Sequence, residues 1–445
     1  MKARDQLLAL RKAEDPFATP AAQLDELRIE AARELFAERR QQVPLLARLA
    51  SENGVSEIGQ PADLVPVLFS HSSYKSYPAA FMKKGQWDRM FQWLAMVQTQ
   101  SPVGIPTDGI TDMDDWIARL WENGHLVNTT SATSGKTSIL PRNAHDQEIT
   151  RDYMLSVPGW PNPIKPDNSR HFFMFAPRRG THSSSVMGAM VAELYGRPDS
   201  CHYLIDEMRV TDISAAAEFR LRLADGTATP SEIAEMELRA KAKAAQNAER
   251  LDEMIDLIIS LRHEPMYILG MWAPMWMVYQ RAKERGIKGG DFNPETIISV
   301  GGGTKGQVYP DDYQEQILSF LGPVRTMQAY GMSEMSWYPP RCPANRFHEV
   351  PWIISLLLDS TGENLIERRE GVVEGRYACL DLSYDARWGG LISGDKVEID
   401  YSSTCACGHP GPTILPTIMR YSDIGDDRIG CSGTIDSYVR GALAA

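Results

Sequence analysis

Leucines and alanines recur at three- and four-residue intervals over residues 20–51, so one face of a helix is buried there. Acidic residues mark its first turn and Asn53-Gly54 closes it. Trp87, Met90, Phe91 and Leu94 repeat at i, i+3, i+4 and i+7, which predicts a core-facing helix over residues 84–98. From about residue 125 the rhythm changes. Short apolar runs (His171-Phe-Phe-Met-Phe-Ala, Thr296-Ile-Ile-Ser-Val) alternate with helical stretches and end in Gly- or Ser-rich turns. That alternation predicts strand–helix units and a sheet covered by helices. Residues 213–262 are rich in Ala, Glu, Arg and Lys and read as helix with a solvated face, interrupted by a turn at 225–230. Thr229-Pro230-Ser231-Glu232 is the start signal for its second half. Residues 266–279 read as one buried helix, and beyond residue 370 the pattern becomes strand-like.

Composition narrows the function classes. The 445 residues carry 46 basic and 58 acidic side chains, a net charge of −12. A nucleic-acid or anionic-membrane binder needs a concentrated basic face, which this balance argues against. No apolar run approaches the roughly 20 residues that span a bilayer, and the N-terminus lacks a signal-peptide core. Six cysteines are too few for a disulfide scaffold. The chain therefore reads as cytoplasmic, with reduced thiols.

The first chemical motif is Thr129-Thr-Ser-Ala-Thr-Ser-Gly-Lys-Thr-Ser138. Hydroxyls and backbone N–H groups donate to phosphate oxygens, glycine lets the main chain approach, and lysine adds charge. As a Walker A loop it has Gly135-Lys136-Thr137, but Thr130 stands where the first glycine belongs. The other reading is the Thr/Ser/Gly-rich loop of adenylate-forming ligases, usually TSGTTGKP, with Ala132, Ser134 and Thr137 departing from that pattern.

Downstream motifs separate these readings. A buried strand runs into Gly301-Gly302-Gly303, followed by Tyr330-Gly331-Met332-Ser333-Glu334, then Ser393-Gly394-Asp395, then Arg420 within Arg-Tyr-Ser-Asp-Ile-Gly-Asp-Asp-Arg-Ile. In this order the segments resemble the nucleotide-site motifs of the acyl-adenylate-forming (AMP-binding) ligase superfamily over roughly residues 65–435. The short chain before the hydroxyl loop and the Cys405-Ala-Cys407-Gly-His409 sequence are similar to the phenylacetate–CoA ligase and acyl-protein synthetase branch.

The resemblance implies an α/β fold: a large adenylate-forming domain with helix-covered sheets and a β-rich C-terminal part. It divides the chain into an N-terminal helical segment (1–64), an α/β core (65–370) and a β-rich subdomain (371–445). It also implies ATP- and Mg²⁺-dependent activation of an aryl or fatty carboxylic acid as acyl-adenylate, passed to CoA, a carrier protein or an amine. Thr130, Ser131, Thr133, Ser134, Gly135 and Thr137 would bind phosphate with Lys136. Gly302 and Gly303 would admit the adenine edge, and Tyr330 beside Gly331 would lie flat on the base. Ser333 would donate to the reacting oxygens, Glu334 would hold Mg²⁺, and Asp395 would take the ribose hydroxyls, with Arg420 in the closing motif. His182, after the strand at 171–176, would touch substrate. The Met- and Trp-rich stretch holding Met271, Trp272, Met275, Trp276 and Met277 would be core, or the back wall of an acyl pocket.

The superfamily continues past the closing motif into a mobile C-terminal domain carrying a lysine, whereas here no lysine follows Lys396. Three options are open: a partner or homodimer completes the site, another lysine (Lys136, Lys305) substitutes, or the chemistry is altered. The last option includes a degenerate subunit that binds nucleotide or acyl ligand without turnover. Finally, Cys342-x5-His348 trails the Tyr330–Glu334 motif and Cys405-x-Cys407 trails Asp395. Both motifs must converge on one nucleotide, so these four ligands are expected to meet as a structural Cys₃His zinc site, with His409 an equal claimant for the fourth position.

Overall fold

The structure is a computed structural model that describes residues 1–130, 136–302, 308–425 and 429. The chain begins with helices α1 (Ala3–Ala9), α2 (Ala21–Gln42) and α3 (Pro44–Glu52). The single helix expected over 20–51 is thus two. Val43 is extended (φ −110°, ψ 102°) ahead of Pro44, which starts α3. A proline disfavours helical geometry in the residue before it, and its missing N–H is harmless at a helix start. Then follow β1 (Phe69–Ser70), α4 (Ala79–Lys83), α5 (Trp87–Ala95), α6 (Met113–Glu122), β2 (Leu126–Thr129), β3 (Ile139–Arg142) and α7 (Ala144–Ser156).

The middle of the chain alternates: β4 (Arg170–Arg179), α8 (Ser183–Tyr195), β5 (Gly196–Glu207), α9 (Val210–Ala224), α10 (Pro230–Ser260), β6 (Met266–Met271), α11 (Trp272–Glu284), β7 (Ile297–Gly301), α12 (Tyr313–Leu321) and β8 (Arg325–Met327). The predicted start of α10 forms a capping box: the Thr229 side chain accepts from the Glu232 N–H, and Glu232 accepts from the Thr229 N–H. The buried helix expected at 266–279 is instead strand β6 followed by α11. An unbroken apolar run carries no period to distinguish strand from helix. Pairing decides it: β6 lies parallel between β4 and β7, and Pro274 falls in the first turn of α11, where it costs no hydrogen bond.

The last part is strand-rich: β9 (Phe347–His348), β10 (Ile353–Leu358), β11 (Val372–Asp381), β12 (Gly390–Asp400), β13 (Thr413–Ile414) and β14 (Met419–Arg420). The architecture is α/β with helices, parallel and antiparallel sheets, and a β-rich C-terminal part.

The chain forms two compact units, and the first is built from separated stretches: 1–130, 138–156 and 329 onward. Its sheet centres on β11 and β12, antiparallel to each other, with β10 beside β11 and with β13 and β14 on β12. β1 joins β12 in parallel through Phe69↔Leu391 and Ser70↔Ile392. The second unit, residues 131–137 and 157–328, holds a parallel five-stranded sheet in the order β5-β4-β6-β7-β8. Its core gathers Phe175, Ile268, Trp272, Met275, Val278 and Ile317. Among the described residues no helix is long and apolar enough to cross a membrane.

Candidate active site

Residues 330–334 leave β8 as irregular backbone, which a functional loop needs if its side chains are to point at a ligand rather than along a sheet. Tyr330 N–H donates to the Pro339 carbonyl at 3.0 Å and Met335 N–H to that of Met332 at 2.9 Å. Gly331 is required by close approach: a Cβ there would run into the Tyr338 ring. The Tyr330 hydroxyl donates to Asp395 Oδ2 at 3.1 Å. Burial, together with the neighbouring carboxylate, pushes the Tyr330 phenol well above its ordinary value, so it stays protonated and remains the donor. Asp395 sits on β12, 7% exposed, with its own N–H donating to Ser393 Oγ at 3.0 Å. Strand pairing sets Arg420 of β14 opposite Asp395, with Arg420 Nε 3.6 Å from the carboxylate. Three motifs far apart in sequence thus meet at one carboxylate.

Behind the loop lies a buried ionic cluster that sequence reasoning missed. Arg142, at the end of β3, donates to the Ser333 carbonyl at 2.8 Å, and Arg387 donates to the Glu334 carbonyl at 2.6 Å. Arg387 stacks over the Tyr384 ring at 4.0 Å and faces Tyr74 at 5.1 Å, while Arg142 lies 4.6 Å from the same Tyr384 ring. Asp146, 1% exposed, accepts the N–H groups of Asp385 and Ala386 at 2.8 and 3.3 Å. Asp381 accepts the N–H of Ser336 at 2.8 Å and that of Ser383 at 3.0 Å. Gly389 lies so close to the Asp381 carbonyl that any Cβ would overlap it. Two arginines and Asp381 therefore fix the main chain on both sides of Glu334, while Asp146 fixes the main chain just before Arg387. Burial raises the Glu334 carboxyl above its ordinary value, against the pull of Arg387, Lys75 and Arg142. The sequence signal was slight: an arginine ending a strand after the hydroxyl loop, and another just before Trp388-Gly-Gly.

Some predicted residues are placed elsewhere or differently. Thr130 closes the β2–β3 hairpin, its Oγ1 accepting the Ser138 N–H at 3.0 Å. Thr137 is buried and Lys136 half-buried. Gly302 follows β7 with φ +78°, which a side chain rarely adopts. His182 is the N-cap of α8, where Nδ1 accepts the Ser184 N–H at 3.2 Å. The Tyr330 ring, expected to lie against a base, is 5% exposed and packs edge-on to Tyr377 at 5.3 Å. Met275 and Trp272 belong to the core of the second unit, whereas Met277 is 39% exposed. Ser131, Thr133, Ser134, Gly135, Gly303 and Lys305 lie outside the described residues.

No protein-family model and no curated protein matches the chain. Solved structures do. An open conformation of 2-hydroxyisobutyryl-CoA ligase in complex with 2-HIB-AMP and CoA aligns with TM-score 0.53 at 12% identity, covering 92% of this chain and 78% of that one. The same ligase in its postadenylation state with 2-HIB-AMP aligns with TM-score 0.53, covering 92% and 71%. Its thioesterification state, with 2-HIB-AMP and CoA, gives 0.52, covering 89% and 69%. This is an acyl-adenylate-forming ligase fold. At 12% identity the likeness speaks for architecture alone.

In this adenylate-forming fold the donor set at the loop suits the ions expected there. Glu334 offers hard carboxylate oxygen of the kind Mg²⁺ prefers, and the charges of Arg387, Lys75 and Arg142 favour its ionised form. The fold also gathers Cys342, His348, Cys405 and Cys407, whose ligand atoms all lie within 4.8 Å of one another. His409, the other claimant, is turned differently: its Nε2 pairs with Asp15 at 2.8 Å, and its Nδ1 lies 3.7 Å from Cys407 Sγ.

Proposed function

We propose that the chain activates a carboxylic acid with ATP and Mg²⁺, forming an acyl-adenylate, and passes the acyl group to CoA or another acceptor. The observation that carries this reading is the meeting of Tyr330, Asp395 and Arg420 beside the clamped Ser333–Glu334 loop. A substrate carboxylate oxygen attacks the α-phosphorus and pyrophosphate leaves. Both reactants are anions, so the barrier falls when charge is neutralised and the two are held in line. Glu334 would hold Mg²⁺, which would supply Lewis acidity and neutralise phosphate charge. Arg142 and Arg387 keep the Ser333 hydroxyl and the Glu334 carboxylate in place by fixing their carbonyls. Asp395 takes the ribose hydroxyls after exchanging its bond from Tyr330. By their motifs, Gly302 is assigned to the base, and Lys136 with Ser131, Thr133, Ser134 and Gly135 to the phosphates. The acid is aryl or fatty, as in the phenylacetate–CoA ligase branch that the motifs resemble.

A second reading is a subunit that binds nucleotide or acyl ligand without turnover; in it the bonds of Asp395 to Tyr330 and Arg420 would be structural alone. Pyrophosphate release, measured over a panel of acids with ATP and Mg²⁺, tests both. Release with one acid class is expected of the ligase, and no release with any acid favours the binding subunit. Orthophosphate alone, without acid dependence, returns the hydroxyl loop to the P-loop reading.

A further inference from the structure

Two knuckle-like turns face each other in the first unit, and neither belongs to the nucleotide site. The first turn returns on itself through Cys342 N–H to the Arg346 carbonyl at 2.8 Å and Asn345 N–H to the Cys342 carbonyl at 2.9 Å. Asn345 occupies the left-handed region (φ +58°) that closes such a turn. Strand β9 then carries His348, which pairs with Thr413 of β13. The second turn is made by Cys405 N–H to the His409 carbonyl and Gly408 N–H to the Cys405 carbonyl, both 2.9 Å, with Gly408 at φ +93°.

Each turn thus presents a pair of soft ligands to the other. Cys342 Sγ and Cys405 Sγ are 3.9 Å apart, and Cys407 Sγ is 3.3 Å from His348 Nε2. Ordinary zinc bond lengths in a tetrahedron put two sulfurs about 3.8 Å apart and a sulfur and an imidazole nitrogen about 3.6 Å apart. Both observed separations lie close to those edges, and they join residues far apart in the chain. Cys342 and His348 are buried, 4% and 1% exposed, which suits a closed site without a water position. Three thiols and an imidazole packed together without an ion would leave weakly hydrogen-bonding groups facing one another. The arrangement is explained by a cation at its centre.

We infer that Cys342, His348, Cys405 and Cys407 bind one structural zinc ion. Binding displaces three thiol protons to solvent and leaves a Zn(Cys)₃(His) centre of net charge −1. His409, set between Cys407 and Asp15, orients Cys407 and is a positioning residue rather than a ligand. The ion ties the chain that follows Glu334 to the chain that follows Asp395. It thereby fixes the carboxylates of the two segments relative to each other, without touching ligand.

The test uses the full chain purified without chelator. Metal analysis is expected to give about one zinc per chain, and exchange with Co²⁺ to give thiolate charge-transfer absorption with the strong d–d bands of a tetrahedral site. Cys342→Ser and Cys407→Ser should each lower zinc content at least about fivefold, whereas Cys201→Ser, outside the cluster, should leave it unchanged. If the cluster variants fail to fold, the cobalt spectrum of the unaltered chain decides. Less than about 0.2 zinc per chain with no cobalt bands overturns the proposal, as does zinc content that survives Cys407→Ser. Metal stoichiometry is read without turnover, so it stands or falls apart from the ligase activity.

Discussion

In the first unit the candidate loop is held by charged side chains that reach distant main-chain carbonyls, whereas in the second unit the sheet is held by apolar burial. Arg142 grips Ser333 across 191 residues and Arg387 grips Glu334 across 53, each from a buried position. Arg28 does the same for Pro351 at 2.8 Å and Arg4 for Leu382 at 2.6 Å. In the second unit, Trp272, Met275 and Val278 of α11 pack with Phe175 and Ile268 of the parallel strands. The difference teaches what each region is shaped for. Apolar packing tolerates exchange of similar volumes, while a buried guanidinium on a carbonyl fixes one main-chain geometry and fails when either partner is lost.

The comparison breaks most visibly at Arg387. Arg387→Met leaves Asp146 and Glu334 facing an apolar side chain and should cost about 3–5 kcal/mol of stability by denaturant unfolding. Met275→Ala should cost a similar or slightly smaller amount, roughly 2–5 kcal/mol, by opening a cavity. It should leave nucleotide affinity unchanged, whereas Arg387→Met should weaken it. Equal effects on nucleotide from both variants would erase the contrast.

Glu334→Gln sharpens the comparison through chemistry. It should lower acid-dependent pyrophosphate release by about 10²–10³-fold while ATP affinity stays within about fivefold, because the lost charge acts mainly in the transition state. Activity within roughly tenfold of the unaltered chain would remove Glu334 from the machinery. The same variant carries a pH signature. Burial raises the carboxyl above its ordinary 4.5, so the folded state holds its proton more tightly than the unfolded state. Ionisation therefore lowers stability as pH rises from 4.5 through the raised value, and the penalty is complete above it. Glu334→Gln should be more stable than the unaltered chain at neutral pH, with the gain vanishing below pH 4.5 in urea titrations.

Asp395→Ala should weaken nucleotide binding by about 1–3 kcal/mol in calorimetric titration, the cost of unpaired ribose hydroxyls. An unchanged affinity would assign Asp395 to Tyr330 and Arg420 alone. At the small end, Arg239 and Glu235 form an exposed pair at 2.6 Å on α10. Arg239→Ala should shift stability by no more than about 0.5 kcal/mol.

These contrasts also explain what was legible. The strand–helix rhythm announced β4, β7 and the α9–α10 pair because period and caps are local signals, and α10 starts where Thr229 to Glu232 signalled it. The split of 266–279 was hidden, because an uninterrupted apolar run suits a central strand as well as a helix, and neighbouring strands decided. Tyr330, Glu334 and Asp395 were visible as motifs, and Cys342, His348, Cys405 and Cys407 as pairs trailing them. Arg142, Arg387, Asp146 and Asp381 were not. Their partners are main-chain groups, which leave no complementary residue type to look for, and most lie far away in sequence.

The order of residues in the two units also has a consequence for synthesis. The stretch from 157 to 328 emerges from the ribosome as one block and can settle its parallel sheet without waiting. The first unit cannot. Trp388 must reach the Val67 carbonyl across 321 residues, and β1 has no partner until β12 is made. The face of α2 that carries Phe36, whose ring meets that of Trp388 at 6.1 Å, therefore stays without this cover while the whole middle of the chain is translated. A nascent chain stalled before residue 390 presents that surface to chaperones or to other copies, and its middle can be folded while its ends are not.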